Sequence, residues 1–149
     1  MKPPSMFTRA AIAALLLSPM LGACATDLAQ RDASEMALYR DHAGEPVRSF
    51  HFFGHIDSWT PLGDRAVVVW TRMNEAWLLD LGGACNGLQY TPMIGLTSSA
   101  GTVNARFDKV LVRDGSPVNV PCIIQSIRPV DVPALKAAER AARAQPSGT

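Results

Sequence analysis

Two histidines stand four residues apart in the segment HFFGH, residues 51–55. On a helix this spacing would place both imidazoles on one face, where they could hold a single zinc ion. The residues around them are aromatic and β-like, and they predict a strand with a bulge at Gly54. Four residues of strand span about 13 Å, which is too far for one ion with Zn–N bonds of about 2 Å. We therefore predict exposed strand histidines, no metal site and no other cofactor.

The next residues, HIDS at 55–58, contain the residue types of a catalytic triad. Neighbours in sequence do not have triad geometry, and the sequence contains no GxSxG turn and no glycine-rich phosphate-binding motif. Carboxylates beside turns, such as Asp57 and Asp108, are expected to be solvated. We predict that the protein is not an enzyme, with an undetected hydrolase as the less favoured alternative.

Trp59 follows a turn-prone Asp-Ser pair, so we propose Trp59, His55 and Asp57 as candidate residues for binding a ligand or a partner. The other tryptophans, Trp70 and Trp77, fall in the two strands of a predicted hairpin. Cross-strand aromatic packing is the simpler interpretation for that pair. The alternative is that the tryptophans line an aromatic pocket for a small ligand.

An uncharged stretch runs from Ala10 to Ala23, after the basic residues Lys2 and Arg9. Its 14 residues fall short of the roughly 20 that an α-helix needs to cross a bilayer. Pro19 would also break such a helix. A basic start, a short apolar core and small residues before a cleavage point are typical of an export signal.

The end of this stretch, Leu21-Gly22-Ala23-Cys24, resembles the lipobox of bacterial lipoproteins. The resemblance implies cleavage between Ala23 and Cys24 and a lipid on the Cys24 thiol. Several acyl chains anchor a protein firmly, since each buried CH₂ adds about 0.8 kcal/mol. By the same resemblance, Ala25 after the cysteine favours the outer membrane of a Gram-negative cell, with the domain facing the periplasm.

This interpretation of Cys24 also determines how the other two cysteines are interpreted. Three cysteines leave one over in an exported protein. If Cys24 is lipidated, Cys85 and Cys122 remain as an even pair in an oxidising compartment, and we predict a disulfide between them. Two free thiols are the alternative. No CxxC or Cys-His spacing accompanies them, which argues against a metal site.

Composition limits the partners. Removal of residues 1–23 leaves 126 residues, enough for one domain with a core, and twelve basic against thirteen acidic side chains. This nearly neutral chain lacks the basic cluster of a nucleic-acid-binding protein. The expected partners are the membrane, through the lipid, and an unknown envelope protein or a small ligand.

The sequence predicts a lipidated tether over residues 24–31, one domain over 32–144 and a disordered tail over 145–149. Asp32 and Glu35 form a capping box for a helix that ends near Gly44. Asp131 is a cap for a C-terminal helix with Pro133 in its first turn. The tail is expected to fray.

Between the helices the pattern is that of strands. We expect a strand over 50–56, turn chemistry over 59–64, a hairpin of 66–71 with 76–81, and a second hairpin of 107–113 with 118–127 around an Asp-Gly turn. Pro121 predicts an edge strand or a bulge at that position. The predicted fold class is α+β: a small antiparallel sheet, flat or curled, with an N-terminal and a C-terminal helix.

Most of the mature region resembles a family of small proteobacterial lipoproteins that is a domain of unknown function. The resemblance covers about residues 34–138 and implies no activity, cofactor or catalytic residue. It agrees with the lipobox and the cysteine pair. The segments that carry it are Asp57-Ser58-Trp59, Asn74 to Leu81 with Cys85, Arg106-Phe107-Asp108, Cys122-Ile123-Ile124 and Ile127 to Asp131.

Overall fold

The computed structural model describes residues 23–113, 115 and 120–145. The chain divides after Arg31, and the second unit begins at Asp32. All of the strands lie in this second unit. In chain order the elements are α1 (Ala23–Asp41), β1 (Ser49–His51), β2 (Ser58–Pro61), β3 (Ala66–Arg72), β4 (Glu75–Leu81), β5 (Ile94–Leu96), β6 (Thr102–Asn104), β7 (Lys109–Val112), β8 (Val120–Val130) and α2 (Val132–Ala144).

The N-terminal helix is longer than predicted. It begins at Ala23 rather than at the proposed cap Asp32, so residues 24–31, predicted as a tether, have helical backbone. The segment offers no break, because Ala, Leu, Gln and Arg all favour helix. No helix among the described residues is both long and apolar enough to cross a membrane.

The C-terminal helix begins as predicted. The Asp131 carboxylate accepts a hydrogen bond from the Ala134 backbone N–H at 3.1 Å, and Pro133 lies in the first turn. The cap satisfies one N–H that has no partner within the helix. The last residues, 146–149, to which the prediction of a frayed tail applies, lie outside the described residues.

Six strands form a curled antiparallel sheet, a half-barrel, in the order β2-β3-β4-β8-β7-β5, and β1 and β6 form a separate two-stranded ribbon. The fold is therefore α+β, as predicted. Both predicted hairpins are present, β3 with β4 and β7 with β8. The Asp-Gly turn of the second hairpin falls largely outside the described residues.

Two local predictions before β3 were wrong. Trp59, Thr60 and Pro61 were expected in a turn but form β2, paired with Val69, Val68 and Val67. The apolar run of β3 needs a second neighbouring strand on the edge away from β4, and β2 fills that position. Pro61 is tolerated there because it lies at the end of an edge strand.

The expected strand over 50–56 ends at His51, and Gly54 is not a bulge. Gly54 has a φ of +78° and lies in a loop, a conformation that is open to glycine at little cost.

Pro121 lies in the central strand of the sheet, not in an edge strand. On one side Pro121 pairs with Leu111 of β7. On the other side the pairing of β8 with β4 ends at Ile124, opposite Leu81, so Pro121 lies beyond the end of β4. The N–H of Ile124 points to β7, where it donates to the Asp108 carbonyl. Backbone groups alternate along a strand, so the missing N–H of Pro121 falls on the side that has no neighbouring strand.

Two hydrophobic clusters lie on opposite faces of the sheet. The inner cluster, on the concave face, includes Phe50, Phe52, Val67, Val69, Leu79 and Ile127, together with both sulfurs of the disulfide Cys85–Cys122. The predicted disulfide is thus present, and on the chain-entropy model it stabilises the fold by about 4 kcal/mol. The outer cluster lies under the two helices and includes Tyr39, Val68, Leu78, Val130, Val132 and Leu135.

The two hairpin tryptophans do not pack on each other, contrary to prediction. Trp77 pairs with Val69 and Trp70 with Ala76, so their side chains point to opposite faces. Trp70 packs on the outer cluster and Trp77 on the inner cluster. Trp77 stacks instead on Phe50 of β1, with ring centroids 4.8 Å apart, and this contact holds the β1–β6 ribbon against the concave face.

Candidate functional site

An open cleft of about 590 Å³ lies between β2 and β5, the two edge strands of the half-barrel. We call it the edge-strand cleft. A curled sheet that does not close leaves its two edges facing one gap, and here the gap is lined by side chains from both edges. Its lining residues are Phe52, Gly54, Ile56, Trp59, Pro92, Met93, Ile94, Gly95, Leu96, Ser98 and Arg113.

The three residues proposed from the sequence lie at or beside this cleft. Trp59 forms part of its wall and packs against the inner cluster. His55 and Asp57 form an exposed ion pair, with Nε2 and Oδ1 2.8 Å apart, on either side of Ile56, which lines the cleft. Trp59 is therefore placed to contact a ligand, whereas the ion pair belongs to the rim.

The predicted absence of a metal site remains a prediction. His51 and His55 are both exposed, and His51 lies in β1, where it pairs with Thr102. Among the described residues, no three His, Cys, Asp or Glu side chains are grouped closely enough to hold an ion.

Apolar and polar groups contribute about equally to the lining of the edge-strand cleft, which includes one cationic side chain among the described residues. Arg113 lies over Gly95, where its Nε and Nη2 are 3.7 Å from the position that a Cβ would take. Phe53 and Met93 are largely exposed at or next to the cleft, and Arg72 lies over the Phe53 ring at 5.1 Å. A groove with aromatic and aliphatic side chains in its wall and a guanidinium beside them can bind an apolar molecule that carries one anionic group.

A second cleft, of about 630 Å³, opens where β8 changes its neighbour. Ile124 accepts a hydrogen bond from the Arg106 N–H, and three residues later Ile127 accepts one from Val47. The two partner segments diverge between these points and leave a gap beside β8. We call this gap the arginine cleft, and its lining residues are Pro46, Val47, Arg48, Asn104, Ala105, Arg106, Phe107, Gln125 and Ser126.

A buried carboxylate holds one wall of the arginine cleft. Asp108 is 6% exposed and accepts three hydrogen bonds, from the Thr97 hydroxyl at 2.7 Å and from the backbone and side-chain N–H groups of Asn104 at 2.7 and 3.2 Å. The Asn104 carbonyl accepts from the N–H groups of Phe107 and Asp108. The expectation that Asp108 is solvated was wrong, because this network replaces its water.

The turn that this network fixes has an unusual backbone. Arg106 has a φ of +69°, a left-handed conformation that costs a residue with a Cβ about 1–2 kcal/mol. The strained turn carries two exposed side chains, Arg106 and Phe107, beside the cleft. Across the gap is Arg48, also exposed. No carboxylate of the described residues lies within ion-pair distance of either guanidinium.

One residue that lines the arginine cleft has a buried hydroxyl without a partner among the described residues. This residue is Ser126, on β8. The Nε of Arg128, two residues further along the same face of the strand, is also buried without a hydrogen-bond partner among the described residues. A buried polar group without a partner is costly, and such groups in native proteins call for an explanation.

Within the described part of the chain, three groups have clearly shifted pKa values, and none of them lines either cleft. Burial and the nearby Asp32 and Glu139 raise the pKa of Glu35. Burial also raises the pKa of Tyr39, in the outer cluster. Hydrogen bonds from Thr71 and Trp77, with the charge of Arg72, lower the pKa of Glu75. These shifts reflect how the sheet and the helices pack.

A comparison with models of protein families identifies the family of this chain. The model of a family of unknown function, DUF6491, matches residues 6–146. The chain belongs to this family. No curated protein and no solved structure matches it. The match to DUF6491 spans the Leu21–Cys24 segment, both cysteines of the disulfide and both clefts.

Sequence reasoning found one wall of the edge-strand cleft and missed the arginine cleft. Trp59 stands out because tryptophan is rare, whereas Arg48 and Arg106 are far apart in sequence and resemble ordinary surface cations. Asn104 and Asp108, four residues apart, supply the donors and the acceptor of part of the buried network. Only the fold shows that they meet Thr97.

Proposed function

We propose that this chain is a lipoprotein of the bacterial cell envelope, lipidated at Cys24 and held at the outer membrane with its domain facing the periplasm. Support comes from the lipobox-like tetrad Leu21–Cys24 and the uncharged stretch before it. The disulfide Cys85–Cys122 fits an oxidising compartment. The proteobacterial lipoprotein family that the sequence resembles has the same organisation.

The test of this location is the Cys24→Ala variant. Alanine has no thiol to accept the lipid, so we expect an uncleaved precursor that incorporates no labelled fatty acid, while the unchanged chain is processed and labelled. Thr26→Ala, the same replacement two residues further on, is the matched control and should leave processing intact. A soluble product cut at the same position from Cys24→Ala would contradict lipidation.

We also propose that the domain is a binding module rather than an enzyme, and that its ligand has an apolar body and one anionic group. The observation that carries this proposal is the edge-strand cleft, with Trp59 in its wall and Arg113 as its cation. Grooves of a few hundred Å³ that combine aromatic and aliphatic side chains with placed polar groups are the usual form of small-ligand sites. A partner protein is the second candidate, favoured by the exposed side chains of Phe53 and Met93.

The fluorescent probe 1-anilinonaphthalene-8-sulfonate tests the cleft, because it joins an apolar ring system to one anion. We expect the natively folded domain of residues 32–149 to bind it. Removing one good contact should weaken binding about tenfold in Trp59→Ala and in Arg113→Gln. Arg140→Gln, which changes an exposed arginine on α2 outside both clefts, is the control and should bind as the unchanged domain does. Equal binding by all four proteins would contradict the proposed site.

A further inference from the structure

We propose that the arginine cleft is a second and separate binding site, which takes an oxyanion, phosphate or carboxylate, carried on an aromatic ring or a similar flat apolar body. The site does not depend on the edge-strand cleft or on the location of the protein. Three features of the described residues carry the inference, namely the charge of the cleft, its strained turn and its exposed ring.

The charge of the cleft favours an anion. Arg40, Arg72 and Arg143 each have a carboxylate partner at 2.7 to 3.6 Å. Arg48 and Arg106 line one gap from opposite walls and have no such partner among the described carboxylates. Two guanidinium groups beside one concave surface focus a positive potential there, and their planar donors match the oxygens of phosphate and carboxylate.

The turn at Arg106 is held against a conformational cost. The left-handed φ of Arg106 persists because its neighbours are fixed: its N–H donates to the Ile124 carbonyl, and Asp108 anchors the end of the turn. Strain of this kind is concentrated at sites that bind or react, where it sets the direction of a side chain. Here the strained residue is one of the two cleft arginines.

The remaining features describe the rest of the ligand. Phe107 is 82% exposed on the same turn, so its ring is free to stack on a flat apolar group. Gln125, on β8, also lines the cleft and adds an amide. Together the residues of this cleft provide a cation pair for the oxyanion, a stacking surface for its carrier and an amide beside it.

Isothermal titration calorimetry of the full chain in a non-ionic detergent tests the site, with phenyl phosphate, benzoate and inorganic phosphate as probes. We expect at least one aromatic anion to bind in the millimolar range or more tightly. Comparison of phenyl phosphate with benzoate identifies the preferred oxyanion. Arg48→Gln and Arg106→Gln should each weaken that binding about tenfold. Arg106→Lys should lie between, because an ammonium keeps the charge but not the paired donors.

Phe107→Ala tests the stacking surface. It should lower the affinity for the aromatic anion to that of the same anion without a ring, and for phenyl phosphate the reference is inorganic phosphate. Arg140→Gln, which removes an exposed charge on α2 outside both clefts, is the matched control and should leave these affinities unchanged. Thermal unfolding of each variant verifies that it is folded.

The proposal is overturned if neither aromatic anion binds, or if folded Arg48→Gln and Arg106→Gln bind as the unchanged chain does. It is also overturned if Arg140→Gln weakens binding as much as they do. The proposal for the edge-strand cleft is contradicted by a different result, namely probe binding that does not depend on Trp59 and Arg113. The two proposals can therefore be tested separately.

Discussion

The edge-strand cleft and the arginine cleft are similar in volume, about 590 and 630 Å³, but they are built differently. Residues on two strands, β2 and β5, form much of the first, and its side chains continue into the inner cluster. The second is built on irregular backbone between strand neighbours. Its shape depends on one buried carboxylate, Asp108, and on a residue in a strained conformation, Arg106.

This difference separates two ways of positioning a binding group. In the edge-strand cleft, packing sets the position of Trp59, and any one contact is a small share of the whole. In the arginine cleft, hydrogen bonds set the backbone that carries Arg106: those to the Asp108 carboxylate and the one from the Arg106 N–H to the Ile124 carbonyl. We therefore expect the arginine cleft to be the more sensitive to single polar substitutions, and three predictions test that contrast.

Asp108→Ala should have the largest effect. It leaves the Thr97 hydroxyl and two Asn104 donors without their acceptor in a buried site, at a cost of about 3 kcal/mol in the free energy of unfolding. Asp57→Ala, at the rim of the edge-strand cleft, should cost about 0.5 kcal/mol or less, because its ion pair with His55 is exposed. Denaturant unfolding of both variants gives the two values.

The same pair of variants separates the clefts in binding. Asp108→Ala should weaken the aromatic oxyanion that binds the arginine cleft and leave the fluorescent sulfonate bound, provided that the variant is studied below its unfolding transition. Similar stability losses for Asp57→Ala and Asp108→Ala would contradict the distinction between a packed and a hydrogen-bonded cleft.

Arg106→Gly should raise stability while it removes anion binding. Relief of the left-handed strain is worth about 1–2 kcal/mol, and the added freedom of glycine in the unfolded chain offsets about 0.5–1 kcal/mol. The net gain is therefore about 0.7 kcal/mol, within a range of roughly 0 to 1.5 kcal/mol, and denaturant unfolding measures it. Strain that is retained for function behaves in this way.

Two controls identify the source of this gain. Arg106→Ala keeps the Cβ and its strain, so it should weaken anion binding without raising stability. Ala105→Gly changes a neighbour whose φ is not positive, and it should lower stability by about 1 kcal/mol. A gain in Arg106→Ala equal to that in Arg106→Gly would show that the backbone is not strained at this residue.

The regular parts of the fold could be predicted from the sequence because their signals are local. The β-branched run of β3, the Asp131 cap and the even cysteine pair each have a physical meaning that needs few distant residues. The start of α1 was misplaced, since Asp32 offers a cap but no residue from Ala23 to Arg31 breaks the helix. The turn expected at Trp59 became a strand because β3 required a partner.

The arginine cleft could not be predicted because its parts are distant in sequence. Arg48 and Arg106 share a gap only because β8 exchanges one neighbouring segment for another between Ile124 and Ile127. Asp108 differs from a solvated carboxylate only because the fold brings Thr97 to it. The positive φ of Arg106 has no sequence signal, since arginine is not a residue that favours this conformation.

The smallest expected effect is a pH dependence of stability that arises at Glu75, whose hydrogen-bond partner Trp77 packs on the inner cluster. Glu75 accepts hydrogen bonds from Thr71 and from Trp77, whose ring stacks on Phe50 in the inner cluster. These bonds lower the pKa of Glu75 from its usual 4.5, so its stabilising contribution is complete above that pH and is lost as pH falls through the lowered value. Because the carboxylate is 34% exposed, we expect only about 0.3 kcal/mol. The free energies of unfolding of the native chain and of Glu75→Gln should differ by that amount at neutral pH and converge as the pH falls through the lowered pKa. A difference that grew on acidification would mean that the ionised form is not the one that the fold favours.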